Sequence, residues 1–354
     1  MPNPNAIDFA PQHGPRPLPL FLALLRSETA AEPQRQARAL AGLRAFQDAP
    51  RLRPQRPLPA RRRQGRARLR GAGPEDGRQV LFVPSLINPP AILDLSRETS
   101  LVRWLAARGH RCWLLDWGTP GRGDRAMDMT AHVERILIPL IARLPAPPIL
   151  VGYCLGGTLA LAAAARTKVA GLATIAAPWH FSGYGGAAGA MRTQWVATQA
   201  VADALGLVPM EALQAGFWQI DPARTVDKYA AFADLDPRSA AAQAFIRLED
   251  WANAGPPLPY AFGRELFEAM VGEDRPGRGL WRVGGANVTL GQIDCPTVEF
   301  VSSTDRIVPA ATAAGLPDRR ISAAGHVGMV VGRRAMGDLW SPLADWIEAL
   351  PRHT

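Results

Sequence analysis

A chain of 354 residues with 47% hydrophobic residues has room for one large domain with an insertion, or for two small domains. Three scattered cysteines exclude a disulfide framework and a cysteine-based zinc site, and they favour the reducing cytoplasm as the location. The first residues lack the basic start of a signal peptide, and the apolar stretch over residues 18–25 is too short to cross a bilayer. We therefore expect no membrane span.

The formal net charge of +9 comes from one segment. Nine arginines and no acidic residue lie between Arg51 and Arg70, and the rest of the chain carries 31 basic and 31 acidic residues. Prolines interrupt this segment, so its composition predicts an extended, solvated linker. A run of arginines can also collect phosphate groups electrostatically, but we do not expect nucleic acid as a partner.

Residues 1–75 are predicted to form an N-terminal appendage, in which a helix over residues 34–47 precedes the arginine-rich linker. From residue 76, strands alternate with helices, which favours a mostly parallel, doubly wound α/β sheet that is covered on both faces. The predicted strands lie at residues 80–83, 112–117, 149–151 and 169–175, and the predicted helices at 101–108, 129–144 and 157–166.

The alternation of strands and helices stops after residue 180. Residues 181–290 contain tryptophans among irregular polar and proline-rich stretches, and an insertion of this length at this place is expected to cap a site. Strands are predicted again at residues 297–301 and 320–322, and a closing helix at 335–350. The core of the fold is therefore expected to comprise residues 76–180 and 291–354.

One motif carries chemistry. Gly152–Gly156 reads G-Y-C-L-G between a predicted strand and a predicted helix, the context of a nucleophile elbow. The nucleophile, here Cys154, sits on a sharp turn, so Gly152 and Gly156 must be nearly free of side-chain atoms. The turn also points the backbone N–H of Leu155 towards a developing oxyanion. The alternative interpretation is a packed thiol beside glycines that ease a turn.

A thiol nucleophile needs a base, and His326 is the candidate because it follows the last predicted strand and precedes the last helix. Asp305, four residues past the preceding strand and 21 before His326, is the candidate acid, with Asp294 as a competitor. The chain order nucleophile, acid, histidine matches the α/β-hydrolase fold. The alternative is that His326 is a solvent-exposed loop histidine.

A second oxyanion donor is expected in the loop after the strand at residues 80–83. The backbone N–H of Leu86, or that of Ile87, is placed to supply it, and Asn88 can brace the loop by hydrogen bonding. An ordinary proline-rich turn would give the same sequence, and the sequence does not separate the two.

In combination, these residues resemble the polyhydroxyalkanoate (poly-3-hydroxybutyrate) synthase family, short form, within the α/β-hydrolase superfamily. The resemblance covers roughly residues 77–345 and departs from the family at Pro89–Ala91, where K-x-Y is usual. The similar segments are Phe82–Leu95, Ser100–His110, Leu114–Pro120, Gly152–Gly157, Leu248–Leu258 and Gly325–Val331.

The resemblance implies an acyltransferase that polymerises 3-hydroxyacyl-CoA through a covalent acyl-cysteine. Cys154 would accept the acyl group, His326 would activate it, and Asp305 would be the acid partner that also helps to activate the incoming 3-hydroxyl group. No metal and no cofactor is implied, since coenzyme A belongs to the thioester substrate. The implied partners are the polyester granule surface in the cytoplasm and either a homodimer or a second synthase subunit.

Two other functions stay open. The same three residues suit a cysteine-nucleophile hydrolase, such as a thioesterase, a polyester depolymerase or a dienelactone-hydrolase-like esterase. Which reaction occurs depends on whether water or a hydroxyacyl group reaches the acyl-cysteine. A non-catalytic protein that binds granules or polyanions through Arg51–Arg70 is the third possibility, and an intact catalytic triad argues against it.

Overall fold

The computed structural model describes residues 13–351. The strands are β1 (Ala60–Gln64), β2 (Ala67–Ala72), β3 (Gln79–Val83), β4 (Arg111–Asp116), β5 (Ile149–Tyr153), β6 (Gly171–Ile175), β7 (Leu207–Val208), β8 (Leu258–Pro259), β9 (Arg282–Val283), β10 (Ala286–Asn287), β11 (Thr297–Ser302) and β12 (Arg319–Ser322). The α-helices are α1 (Leu18–Glu28), α2 (Pro33–Asp48), α3 (Leu101–Ala106), α4 (Met129–His132), α5 (Ile138–Ala142), α6 (Leu155–Ala164), α7 (Gly186–Leu205), α8 (Met210–Ile220), α9 (Pro222–Phe232), α10 (Ala240–Ala252), α11 (Tyr260–Arg264), α12 (Gly328–Val331) and α13 (Ser341–Ala349).

Eight strands form one sheet in the order β1-β2-β4-β3-β5-β6-β11-β12. All pairs from β4 to β12 are parallel, and only β1–β2 and β2–β4 are antiparallel. Every residue of β3, β5 and β6 is buried, as expected for parallel strands with both faces covered. Helix α6 packs against β3, β5 and β6, and α3 packs against β4. The predicted mostly parallel, doubly wound sheet is confirmed.

The arginine-rich segment is not a linker beyond residue 59, so the predicted boundary at residue 75 is wrong. Strands β1 and β2 form a hairpin that turns at Gly65, which has a φ of 57°. In β2 the buried Ala67, Leu69 and Gly71 alternate with the partly exposed Arg68, Arg70 and Ala72, which is the period of two of a strand with one covered face. Arg70 pairs with Asp116 at 2.9 Å and Arg66 with Asp124 at 2.5 Å, so partners distant in sequence compensate part of the positive charge.

The described chain divides into two compact units, and the smaller combines residues 13–54 with residues 211–255. Helices α1, α2, α9 and α10, with α8 from residue 211 onward, surround a core of their own. Phe46 is fully buried there, with edge-to-face ring contacts to Tyr229, Phe232 and Phe245. Helices α2 and α9 approach closely at Gly42, where a Cβ would lie 1.7 Å from the Tyr229 carbonyl oxygen.

The predicted appendage and the predicted cap therefore do not correspond to separate units. Helix 34–47 of the appendage is present as α2, but it packs with α9 from the middle of residues 181–290. The rest of that insertion, residues 181–210 and 256–290, belongs to the unit that holds the sheet. There, α7 packs on the helical turns Glu265–Gly272, with Trp195 stacked on Phe267 at 5.3 Å between ring centroids.

Among residues 13–351, no helix combines the length and the apolar character that crossing a bilayer requires.

Two truncations distinguish the role of helices α1 and α2 from the role of the β1–β2 hairpin. Removal of residues 1–54 takes α1 and α2, and removal of residues 1–75 takes β1 and β2 as well and exposes the edge of β4. We expect the sheet-containing unit to unfold cooperatively in the first truncated protein and to aggregate or lose cooperativity in the second. Thermal unfolding followed by circular dichroism tests this expectation. Equal cooperativity in both would show that the hairpin is dispensable.

Candidate active site

Cys154 lies on the turn between the last residue of β5 and the first residue of α6. Its backbone has φ 55° and ψ −134°, a conformation that costs a non-glycine residue about 1–3 kcal/mol. Two hydrogen bonds hold it: the Cys154 N–H donates to the Ile175 carbonyl at 3.0 Å, and the Gly157 N–H donates to the Cys154 carbonyl at 2.8 Å. A strained, hydrogen-bonded strand-to-helix turn is the geometry of a nucleophile elbow.

The glycines around Cys154 are required by close backbone contacts. A Cβ on Gly152 would lie 2.4 Å from the Gly157 Cα atom, and one on Gly156 would lie 2.0 Å from the Val83 carbonyl oxygen. A Cβ on Gly157 would lie 2.3 Å from the Ala177 Cβ. The sequence motif accounts for Gly152 and Gly156, whereas the need for Gly157 was missed, although the adjacent pair of glycines signals it.

His326 and Asp305 lie together, between β11 and α12. The His326 Nδ1 is 2.6 Å from Asp305 Oδ2, and their side chains are 8% and 0% exposed. The backbone N–H groups of Ile307 and Val308 donate to the other carboxylate oxygen at 2.7 and 3.0 Å. With Nδ1 directed at Asp305, the second ring nitrogen is available to Cys154, whose side chain lies close enough to influence the charge of His326. The alternative of an exposed loop histidine is wrong.

The residues before Asp305 tie its loop to the loop of His326. Ser302 Oγ donates to the Ala324 carbonyl at 2.5 Å, and Thr304 Oγ1 donates to the Ala323 carbonyl at 2.8 Å. These side-chain-to-backbone hydrogen bonds fix the two loops relative to each other and thereby hold the carboxylate near the imidazole. The sequence analysis missed both residues, whose only signal is a run of hydroxyl side chains at the end of a strand.

The charges in the site act on the His326 imidazole in opposite directions. Burial by itself lowers the pKa of His326, because the protonated ring loses its water. The negative charge of a Cys154 thiolate, and hydrogen bonds to Asp305 and Cys154, outweigh burial and raise the pKa to about 10. Asp305 and an ionised Cys154 therefore both favour the protonated form of His326.

Replacing Cys154 with alanine should lower the pKa of His326 towards its ordinary value of 6.5, because the largest influence that raises it is removed. Because the pKa is raised in the folded state, protonated His326 stabilises the wild-type fold below about pH 6.5. That contribution is lost as the pH rises through about 10, and this dependence should weaken in the variant. Histidine ¹⁵N NMR measures the pKa directly, and Cys112→Ala is the control. An unchanged pKa would contradict the electrostatic coupling.

Two backbone N–H groups are candidates for donors to an oxyanion. Leu155 is the first residue of α6, so its N–H has no acceptor within the helix. In the loop after β3, the Ile87 N–H already bonds Ser85 Oγ at 3.2 Å, so Leu86 is the better candidate for the second donor. The Trp117 indole, which the sequence analysis did not single out, donates to the Pro84 carbonyl at 2.9 Å and braces this loop.

The remaining candidates lie elsewhere. Asp294 is adjacent to Cys295, whose pKa is raised to about 11 by burial and by that carboxylate, so Asp305 and not Asp294 partners His326. Cys112 is fully buried in β4, and burial raises its pKa. His132 is also buried, which lowers its pKa to about 4, and it bonds Arg66 at 2.6 Å. Over residues 13–351, no group of three His, Cys, Asp or Glu side chains is arranged to hold a metal ion.

Comparison with known families matches residues 80–208 to the alpha/beta hydrolase fold. The parallel sheet order and the turn at Cys154 agree with this match, so the chain has an α/β-hydrolase fold. Among solved structures, the monoacylglycerol lipase of Paleococcus ferrophilus gives a TM-score of 0.48 at 17% identity, over 79% of this chain and 98% of that one.

Curated relatives carry a more specific name. The sequence is 30% identical to the Poly(3-hydroxyalkanoate) polymerase subunit PhaC of Haloferax mediterranei over 75% of this chain and 58% of that protein. It is 29% identical to the protein of the same name from Haloarcula marismortui, over 75% and 60% of the two chains. It is 27% identical to the protein of the same name from Synechocystis sp., over 76% of this chain and 77% of that protein. The resemblance to polyhydroxyalkanoate synthases is confirmed, and the chain spans about three fifths of the length of the first two relatives.

Proposed function

We propose that this protein is a polyhydroxyalkanoate synthase-like acyltransferase that uses Cys154, His326 and Asp305 to polymerise 3-hydroxyacyl-CoA. The observations that support the proposal are Cys154 on its strained turn, the hydrogen bond between His326 and Asp305, and the electrostatic effect of a Cys154 thiolate on His326. The names of the relatives supply the reaction class, since all three are Poly(3-hydroxyalkanoate) polymerase subunits.

In the first step, the Cys154 thiolate attacks the thioester carbon of 3-hydroxyacyl-CoA. The carbonyl oxygen becomes an oxyanion that accepts hydrogen bonds from the N–H groups of Leu155 and Leu86. The carbon–sulfur bond to coenzyme A then breaks, and the proton of the His326 imidazolium passes to the departing thiolate. The products are an acyl-Cys154 thioester, free coenzyme A and a neutral His326.

The second step follows from the loss of charge in the first. Once Cys154 is acylated, the thiolate that raised the pKa of His326 is gone, so neutral His326 can take a proton from an alcohol. The 3-hydroxyl group of a second substrate gives up this proton and attacks the acyl-cysteine carbon. An ester bond forms, the bond to Cys154 Sγ breaks, and the thiolate–imidazolium pair is restored. Asp305 stabilises the charged imidazole.

Water is the competitor in the second step, and it would make the protein a thioesterase. The test is incubation with 3-hydroxybutyryl-CoA, in which chromatography measures released coenzyme A and mass spectrometry follows the acyl group. Chains of two or more hydroxyacyl units, on Cys154 or in extracted polyester, are expected. Stoichiometric monomeric 3-hydroxy acid without chain growth would favour the hydrolase. EDTA should leave the rate unchanged, since the proposed chemistry uses no metal.

The proposal extends to location and assembly. The relatives are named as subunits, and we propose that this chain acts at the granule surface in the cytoplasm, as a homodimer or with a second synthase subunit. Light scattering measures the mass of the chain purified alone and of the complex isolated from its source. These masses distinguish a homodimer from a complex with a second subunit. Activity of a monomer equal to that of either assembly would contradict a need for a partner.

A further inference from the structure

The residue before the candidate nucleophile contacts the candidate base. Tyr153, the last residue of β5, is 3% exposed, and its ring stacks on the His326 imidazole with ring centroids 5.0 Å apart and an angle of 27° between the planes. Its hydroxyl group donates to the His326 carbonyl oxygen at 3.4 Å. Tyr153 thus contacts both the ring face and the backbone of His326.

The stacking restrains a motion that the hydrogen bonds of His326 leave open. A hydrogen bond at a ring nitrogen is directed in the plane of the imidazole, so the bond of Nδ1 to Asp305 fixes the ring within that plane but resists tipping out of it only weakly. An aromatic ring against the face opposes tipping. An electron-rich ring face also attracts a cation, and this attraction is stronger at a buried site than in water.

We infer that Tyr153 is a positioning residue whose ring holds the imidazole of His326 and stabilises its protonated form, and with it the thiolate of Cys154. This inference depends on one part of the proposed function, the role of Cys154 as the nucleophile. The titratable groups around the imidazole are Cys154, Asp305 and Tyr153, with Tyr184 in electrostatic range of the first two. Burial raises the pKa of both tyrosines, so both phenols are neutral at the pH values of interest.

Alkylation of Cys154 by iodoacetamide tests the idea without any acyl substrate. The rate is measured in the full-length protein between pH 5 and 10, and mass spectrometry separates Cys154 from Cys112 and Cys295. Tyr153→Phe keeps the ring and removes the hydroxyl group, whereas Tyr153→Leu and Tyr153→Met remove the ring. Circular dichroism and thermal unfolding identify the variants that fold.

Tyr153→Phe should retain the wild-type pH profile. The ring-free variants should alkylate about ten-fold more slowly at neutral pH, with the half-maximal rate shifted to higher pH. A purely structural role would lower stability and leave this profile unmoved. Wild-type profiles for folded Tyr153→Leu or Tyr153→Met would overturn the inference, as would an equal shift in Tyr153→Phe. A chain that turned out to be a hydrolase would leave the test intact, because alkylation involves no acyl transfer.

Discussion

Replacing Cys154 with alanine should reduce coenzyme A release from 3-hydroxybutyryl-CoA by more than about a thousand-fold. The proposed reaction forms a covalent bond to this sulfur, and no other thiol reaches the same place: Cys112 is enclosed in β4, and Cys295 precedes β11. The fold should persist, because alanine keeps the Cβ atom and removes only the sulfur. The rate is followed by chromatographic detection of coenzyme A.

Cys112→Ala is the matched control, since it removes the same atom from a buried position outside the site. It should retain most of the activity, with a modest loss of stability from the small cavity. Residual activity of more than a few per cent in folded Cys154→Ala would contradict the acyl-cysteine. Loss of activity in both variants to the same degree would show that the effect comes from packing.

The smaller unit, residues 13–54 with 211–255, is a five-helix unit. Replacing Phe46 with alanine should destabilise this five-helix unit by about 3–5 kcal/mol, because a fully buried ring with three aromatic neighbours is lost. Amide hydrogen exchange of α9 and α10 measures this locally, since exchange there reports opening of the unit itself. Faster exchange is expected in these helices although the substitution lies in α2.

Leu40→Ala on the same helix is the matched control. Leu40 is 44% exposed, so its loss should change the free energy of opening by less than about 0.5 kcal/mol. If Phe46→Ala left the exchange of α9 and α10 unchanged, the two chain segments would not share a core.

The central strands and the candidate site could be predicted because their signals are local. Strands β3, β5 and β6 are short apolar runs buried on both faces. A Cβ atom on Gly152 or Gly156 would clash with nearby backbone atoms, so both positions require glycine. Cys154, Asp305 and His326 were chosen by residue type and chain order. The structure places the His326 imidazole against the Asp305 carboxylate and Cys154 on the turn after β5, and the three-residue triad stays a prediction.

The features that the sequence analysis missed depend on partners far along the chain. The arginines of the β1–β2 hairpin resemble those of a solvated linker until Asp116 and Asp124 are placed beside Arg70 and Arg66. The apolar face of α2 is readable, but the sequence does not say that α9 covers it. The stacking of Tyr153 on His326 joins residues 173 positions apart, and no local pattern encodes it.

The two-segment origin of the five-helix unit has a consequence for protein synthesis. Helices α1 and α2 leave the ribosome before the helices that bury their apolar faces, because residues 55–210 are made in between. At about 5–20 residues per second, the faces that carry Phe21 and Phe46 stay uncovered for roughly 10–30 seconds. During this interval the nascent chain is a substrate for chaperones and for aggregation, and slower translation would lengthen the exposure.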